Sequence, residues 1–360
     1  MSPLTPAATG LSFLDPRPAR QAEGRLAGWQ IPAKDLYDVA GQPTTLGSKS
    51  RTYLADTTDP FLQNLLDQGA SIPGKTALSE LGMSIDCEPV GLPAVDNPRY
   101  PGCTPGGSSG GAAVAVAQGL FRAAHASDAG GSIRVPAAAC GVVGFKTSSL
   151  GLSCHGFITR DVADQAFLHG LRPRVGATRI GVMARPLWAD TTVDSFYLGA
   201  LERARAALQE AGHTLVPVVP FAGRGDSFEA FTDIFTYRLR GASPTSPLAS
   251  FLARRGRQVS PARLRSSIDL VSALANQLRD QWGVDKLLTP MFTHTPPRTG
   301  AMSALPAADY FDAQTRWSPW ASLFNLTRTP AIALADVQLG SLSFDDEVVL
   351  GLGLDLEAHL

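Results

Sequence analysis

Excess charge of either sign is missing from this 360-residue chain: 31 Lys and Arg stand against 32 Asp and Glu, a formal net charge of −1. No basic run interrupts that balance, so neither the electrostatic footprint of a nucleic-acid binder nor a polybasic membrane anchor is present. A small, uncharged ligand fits such a chain better. Long apolar runs are missing as well: no stretch approaches the roughly 18 consecutive apolar residues of a spanning helix. The opening Met1-Ser-Pro-Leu-Thr-Pro6 has no basic segment leading into an apolar one, so the expected location is cytoplasmic. Cysteine is scarce: Cys87, Cys103, Cys140 and Cys154 show no C-x-x-C spacing and are too few for a disulfide scaffold. They are expected to be reduced and mostly buried, and they imply no structural metal. Repeats and low-complexity tracts are absent.

What is present is a core-forming composition, 44% hydrophobic and 18% charged, punctuated by 27 Pro and 35 Gly. A large buried core with many loops follows. Residues 59–69 open with Asp-Pro, place Phe61, Leu62, Leu65 and Leu66 on one face and end at Gly69, which predicts a short helix. Residues 110–119 are small and apolar and predict a closely packed helix whose positive end faces the serine pair Ser108-Ser109. Residues 180–183, 194–211 and 214–219 read as strand, helix and strand. The spacing over 260–282 (Leu264, Ile268, Val271, Leu274, Leu278) predicts one helix, 286–290 a strand, and 345–356 a helical end. The fold class is α/β, with a mixed, largely parallel twisted central sheet surrounded by helices.

Two glycine-flanked serine loops carry the chemistry: Pro105-Gly-Gly-Ser-Ser-Gly-Gly111 and Ser127-Asp-Ala-Gly-Gly-Ser-Ile-Arg134. A serine hydroxyl is a weak nucleophile at neutral pH and needs a base in hydrogen-bond reach and donors for the developing oxyanion. The histidines offer little: His125, His213 and His359 read as structural or surface residues, while His155 and His294 stay open as pocket residues. The pattern G-x-S-x-G occurs from Gly106 to Gly110, but a nucleophile elbow needs a strand before it. The preceding 97–105 carries three prolines and cannot hold a central strand. A lysine can serve as base where burial disfavours its charged form. Lys34, in Trp29-Gln-Ile-Pro-Ala-Lys-Asp-Leu-Tyr-Asp-Val-Ala-Gly41, has an apolar approach and a following turn, although a Lys-Asp pair taken alone is ordinarily a solvated surface feature.

Taken together, the segments around Lys34, Ser108 and Ser132 (Asp128-Ala-Gly-Gly-Ser-Ile-Arg-Val-Pro-Ala-Ala-Ala-Cys-Gly-Val-Val-Gly-Phe-Lys146) resemble the amidase signature family in order and spacing. The likeness is densest over 28–146 and continues weakly through 159–164, 287–290 and Phe324-Asn-Leu-Thr-Arg-Thr-Pro330. It implies a Ser-Ser-Lys triad: Ser132 as nucleophile, Ser108 as proton relay, neutral Lys34 as base, with a cis peptide between Gly107 and Ser108. It further implies an oxyanion hole from the amides of Ala129, Gly130, Gly131 and Ser132, a bracing role for Asp128 and Arg134, a supporting hydroxyl at Ser109, and substrate contacts at Gly82 and Ser108, with 82–87 bordering the acyl pocket.

The implied activity is cofactor-independent hydrolysis of a small carboxamide to a carboxylate and ammonia or an amine through a Ser132 acyl-enzyme; from chain length alone, the expected substrates are aryl-acetamides such as indole-3-acetamide. The alternatives are an amidotransferase-like subunit supplying ammonia to a partner and a catalytically silent binding protein. Expected partners are a small amide substrate, no nucleic acid and no membrane, with a homodimer allowed. Residues 1–360 are expected to form one amidase domain, with a catalytic core at about 28–160 and 161–360 completing sheet and pocket. Two departures from the family stand out. The stretch 148–157 is shorter than the usual loop, which would open the site, and the end of the chain shows only Val337-Gln-Leu-Gly340 where the family has a glycine-rich strand pair.

Overall fold

The computed structural model describes residues 6–17 and 22–360; most of the opening segment read for a targeting signal lies outside them. Among the described residues no helix is long and apolar enough to cross a membrane.

An eight-stranded sheet runs in the spatial order Thr214–Pro217, Arg179–Val182, Lys286–Pro290, Val337–Ser341, Ala331–Leu334, Val143–Lys146, Cys154–Thr159, Ala123–Asp128. It is mixed, as expected, but not largely parallel. Only the first two pairings in that order are parallel, and the other five are antiparallel. The parallel end comes from the anticipated strand-helix-strand unit, closed by the helix Ser195–Glu210. At the antiparallel end, Ala331–Leu334 with Val337–Ser341 and Val143–Lys146 with Cys154–Thr159 are joined by connections too short for a crossover, and the other three pairings bring together strands that are not consecutive in the chain. Ala335 and Asp336 both adopt positive φ (49° and 67°) and turn Ala331–Leu334 back as Val337–Ser341 in two residues. Arg99 holds that turn through Asp336 at 2.6 and 2.8 Å. A final strand pair therefore exists, contrary to expectation. Its glycine answers to packing, since a Cβ on Gly340 would lie 2.5 Å from the Phe324 ring. The last residues of the shortened 148–157 stretch, from Cys154, lie in a strand paired on both sides.

The helices Pro60–Asp67, capped by the Asp59 carboxylate on the Phe61 amide, and Gly110–Ala117 match their sequence patterns. The single helix read over 260–282 is two, Pro261–Ser272 and Leu274–Trp282, meeting at Ala273. Ser260 caps the first through the Arg263 amide. Across that break Val271, Leu274 and Leu278 are buried while Ile268 faces solvent, so one apolar stripe could not serve both halves. The four cysteines are free, two buried and two partly so.

A second, three-stranded sheet places Gly74–Thr76 between Leu11–Leu14 and Ala33–Lys34. It delivers Lys34 to the edge of the large sheet: Pro32 accepts the His125 amide at 3.0 Å, and Lys34 donates its own amide to His125 Nδ1 at 3.2 Å.

Candidate active site

Lys34 ends its short strand fully buried, its Nζ 2.7 Å from Ser108 Oγ, 3.2 Å from Ser127 Oγ and 3.4 Å from the Ser127 carbonyl. Among the described residues no carboxylate bonds to it. Burial pushes its pKa from the ordinary lysine value down to about 7; the Asp128 charge pulls the other way without restoring it. A lysine in this state exists partly as a free amine at neutral pH and can take a proton from the hydroxyl it touches.

Ser108 is buried just before the helix Gly110–Ala117, and the Gly107–Ser108 peptide is cis. The glycines before it follow from crowding. A Cβ on Gly107 would fall 2.0 Å from the Asp86 carbonyl oxygen, and one on Gly106 2.9 Å from the Pro136 backbone. Ser109 is buried too and donates to the Ser127 carbonyl at 3.4 Å.

Ser132 lies in the turn joining the edge strand Ala123–Asp128 to the helix Arg134–Cys140. A buried ion pair shapes the turn. The Asp128 carboxylate accepts from the amides of Gly131 (2.7 Å) and Ile133 (3.0 Å), from Arg134 Nε and Nη2 (both 3.0 Å) and from Asn325 Nδ2 (2.9 Å). Burial opposes ionisation of Asp128, but the Arg134 charge and these hydrogen bonds prevail and hold its carboxyl well below the usual range. Arg134 reaches on to the Ala321 carbonyl, Asn325 and Gln338.

This brace corrects one expectation. The Gly131 N–H is occupied by Asp128, so the amides of Gly130 and Ser132, with that of Ala129, are those left without a protein acceptor among the described residues. Ser132 Oγ forms no hydrogen bond among the described residues, Ser108 included, and Ser132 lines an open cleft with Gly82, Met83, Ser84, Ile85 and Gly130. Gly82 links the two serines. It takes φ +69°, and a Cβ there would approach Ser108 Oγ to 3.1 Å.

The rest of the cleft joins five aromatic side chains to Val135, Ala321 and the uncharged polar Gln314, Thr315, Ser318 and Ser322, and among the described residues no charged side chain lines it. The helix Arg224–Tyr237 contributes Phe228, Phe231 and Phe235, stacked in series at 5.8 and 5.3 Å. Trp188 and Phe311 stack on Phe228 at 5.6 and 6.2 Å. The helix Ala307–Trp317 is stapled to the loop after Gly82: Gln314 Oε1 accepts the Ile85 amide at 2.6 Å and the Tyr310 hydroxyl donates to Asp86.

His155 and His294, left open as pocket residues, are not in the cleft. His155 stacks with Phe61 and His125, and His294 is exposed with its ring bonded to the Thr295 carbonyl. Sequence reasoning missed Ser127, Asn325, Gln338 and the phenylalanines. The phenylalanine spacing, i, i+3, i+7 within Phe228-Glu-Ala-Phe-Thr-Asp-Ile-Phe235, was a visible helical stripe. Gln338 had no local signal. Among the described residues no group of three or more His, Cys, Asp or Glu could hold a metal ion.

The Amidase family profile matches residues 12–185. AmiB2 of Mycobacterium tuberculosis, which carries the amidase name, is 31% identical over 384 residues, covering 92% of this chain and 82% of its own. An indoleacetamide hydrolase of Pseudomonas syringae pv. syringae is 33% identical over 224 residues, 56% of this chain and 50% of that protein. Among solved structures, 6-aminohexanoate cyclic dimer hydrolase complexed with substrate superposes with a TM-score of 0.84 at 24% identity, covering 94% of this chain and 86% of that one, a likeness of fold. Fold and relatives together define the class as a hydrolase of amide C–N bonds. Within it, the chain belongs to the amidase signature family.

Proposed function

We propose that this amidase cleaves a small carboxamide whose acyl group is uncharged and aromatic, through an acyl-enzyme on Ser132. The observation that carries the reading is the 2.7 Å contact between Lys34 Nζ and Ser108 Oγ, made by a lysine whose pKa burial brings to about 7. Neutral Lys34 takes the Ser108 proton as Ser108 takes that of Ser132, and Ser132 Oγ attacks the amide carbonyl. The oxyanion develops toward the amides of Gly130 and Ser132, which no acceptor among the described residues occupies. Collapse breaks the C–N bond, and Ser108 returns the proton to the departing nitrogen. Water then retraces the route to release the carboxylate and restore Ser132. The relay needs a Ser132–Ser108 hydrogen bond in the substrate complex; catalytic hydrogen bonds commonly tighten only there.

The uncharged aromatic wall supports an aryl or arylalkyl acyl group, as does a relative named for indoleacetamide. The reading requires no cofactor. It treats residues 1–360 as one cytoplasmic catalytic unit, allows a homodimer, and needs no second subunit.

Purified chain given phenylacetamide, indole-3-acetamide and acetamide, with ammonia release measured, should turn over the aryl substrates at least about tenfold faster in kcat/KM, by the transfer energy of an aromatic ring. A chain that hydrolyses none of them alone, and whose Ser132 is not labelled by a fluorophosphonate, overturns the proposal.

A further inference from the structure

Besides Ser132, the polar side chains lining the cleft are Ser84, Gln314, Thr315, Ser318 and Ser322. Most of them are spent inside the protein. Ser84 donates to Asp86 at 2.5 Å, Thr315 to the Phe311 carbonyl at 3.2 Å and Ser318 to the Met291 carbonyl at 2.8 Å. Ser322 follows Ala321, whose carbonyl holds Arg134 and whose Cβ crowds Gly131, so it sits beside the nucleophile loop. Gln314 is only half used. It is 7% exposed, and its Oε1 accepts the Ile85 amide at 2.6 Å, while its Nε2 donates to no acceptor among the described residues.

The Ile85 contact also settles which end of the side-chain amide is which. A backbone N–H can only donate, so the atom facing it is the oxygen, and the NH2 group is left for something else. That group is not enclosed as the unpaired indole N–H of Trp188 is, and it belongs to a residue that lines the cleft. Phe311 lies one turn earlier on the same face of the helix Ala307–Trp317, and its ring stacks with Phe228 at 6.2 Å. The aromatic wall therefore carries a donor of fixed orientation that the protein leaves unanswered, and a bound ring would seal it from water.

Resting on the acyl-enzyme reading above, we infer that Gln314 determines specificity: its Nε2 hydrogen-bonds an uncharged acceptor on the aryl ring of the acyl group, a ring nitrogen or a ring-borne oxygen. Acyl rings with the acceptor at the matching position are preferred over isomers with it elsewhere. A misplaced acceptor leaves two buried polar groups unpaired, its own and Nε2.

The test uses phenylacetamide and the three pyridylacetamides, in which nitrogen replaces one ring C–H with little change of shape, reading ammonia release at pH 8, where every ring is uncharged. In the wild-type chain one pyridyl isomer should exceed the other two by about 5- to 100-fold in kcat/KM, chiefly through KM, the range set by an unpaired buried polar group. Gln314→Glu keeps an oxygen for the Ile85 amide, but its ionised carboxylate offers no N–H, so it should lower that isomer ratio by at least about fivefold. Gln314→Met removes the amide and should lower the ratio likewise; the other isomers are the internal reference for any general loss from a loosened 82–87 loop. Three isomers within about twofold of one another in the wild-type chain overturn the inference, as does an isomer preference that persists in both variants. Either result leaves the amidase reading standing where phenylacetamide is hydrolysed. Hydrolysis of none of the four overturns the aryl-substrate reading and the inference with it.

Discussion

The floor of the cleft and its wall are built on different principles. The floor, from Lys34 to Arg134, is polar, buried and held by hydrogen bonds: a lysine on a serine, and a carboxylate taking two amides, a guanidinium and Asn325. The wall is apolar and held by ring stacking between elements far apart in sequence. They meet at Gly130, where a Cβ would fall 3.0 Å from the Phe231 ring, so a glycine of the serine loop also admits a ring of the wall. Such a division separates reaction from selection: the floor can stay the same while the wall is changed. It also separates costs. Buried polar groups lose heavily when one partner is removed, whereas apolar contacts lose in proportion to the surface uncovered.

Four substitutions sharpen or break this contrast. Ser132→Ala should lower kcat/KM by about 10,000-fold on every substrate with an unchanged circular-dichroism melt; residual turnover within tenfold of wild type would show that the floor does not hold the nucleophile. Lys34→Met should cost about 1,000-fold. In the wild-type chain the acylation rate should rise with pH through the region near 7, because the folded-state pKa of Lys34 is lowered to about 7 and the base acts when deprotonated; above that the rate should level off. A flat single-turnover profile from pH 6 to 9 contradicts a lysine base. Asp128→Asn removes one side of a fully buried pair and should lower stability by about 3–5 kcal/mol, read as a fall in urea midpoint with activity lost alongside. Phe231→Ala should leave kcat/KM for acetamide within about threefold while lowering that for phenylacetamide by about 10- to 100-fold. An equal loss on both would mean that the wall serves the reaction and the division does not hold.

The floor was legible in the sequence because its groups are close in the chain or lie in glycine-rich segments, where consecutive glycines let the main chain approach a ligand closely. Ser108 and Ser132 sit in such loops, and Asp128 and Arg134 flank the second. Lys34 was harder to read. Beside Asp35 it looks like a surface pair, yet Asp35 turns to Thr45 and Lys75 and leaves Lys34 to Ser108. Asn325 lay in a weakly matching run whose value emerges only from its bonds to Asp128 and Arg134. Gly131 was read as an oxyanion donor because a glycine's amide can turn anywhere; that it turns to Asp128 depends on where the carboxylate lies.

By itself the sequence determined the α/β class, several of the helices and three of the strands, the two serine loops and the candidacy of Lys34, since backbone preference, periodicity and glycine crowding act over a few residues. Tertiary structure decided the antiparallel half of the sheet, the break at Ala273, the burial that brings Lys34 near neutrality, and the joining of Phe311 to Phe228 across 83 positions of chain. Desolvation and ring stacking depend on what surrounds a group in space, and no local pattern of residues carries that information.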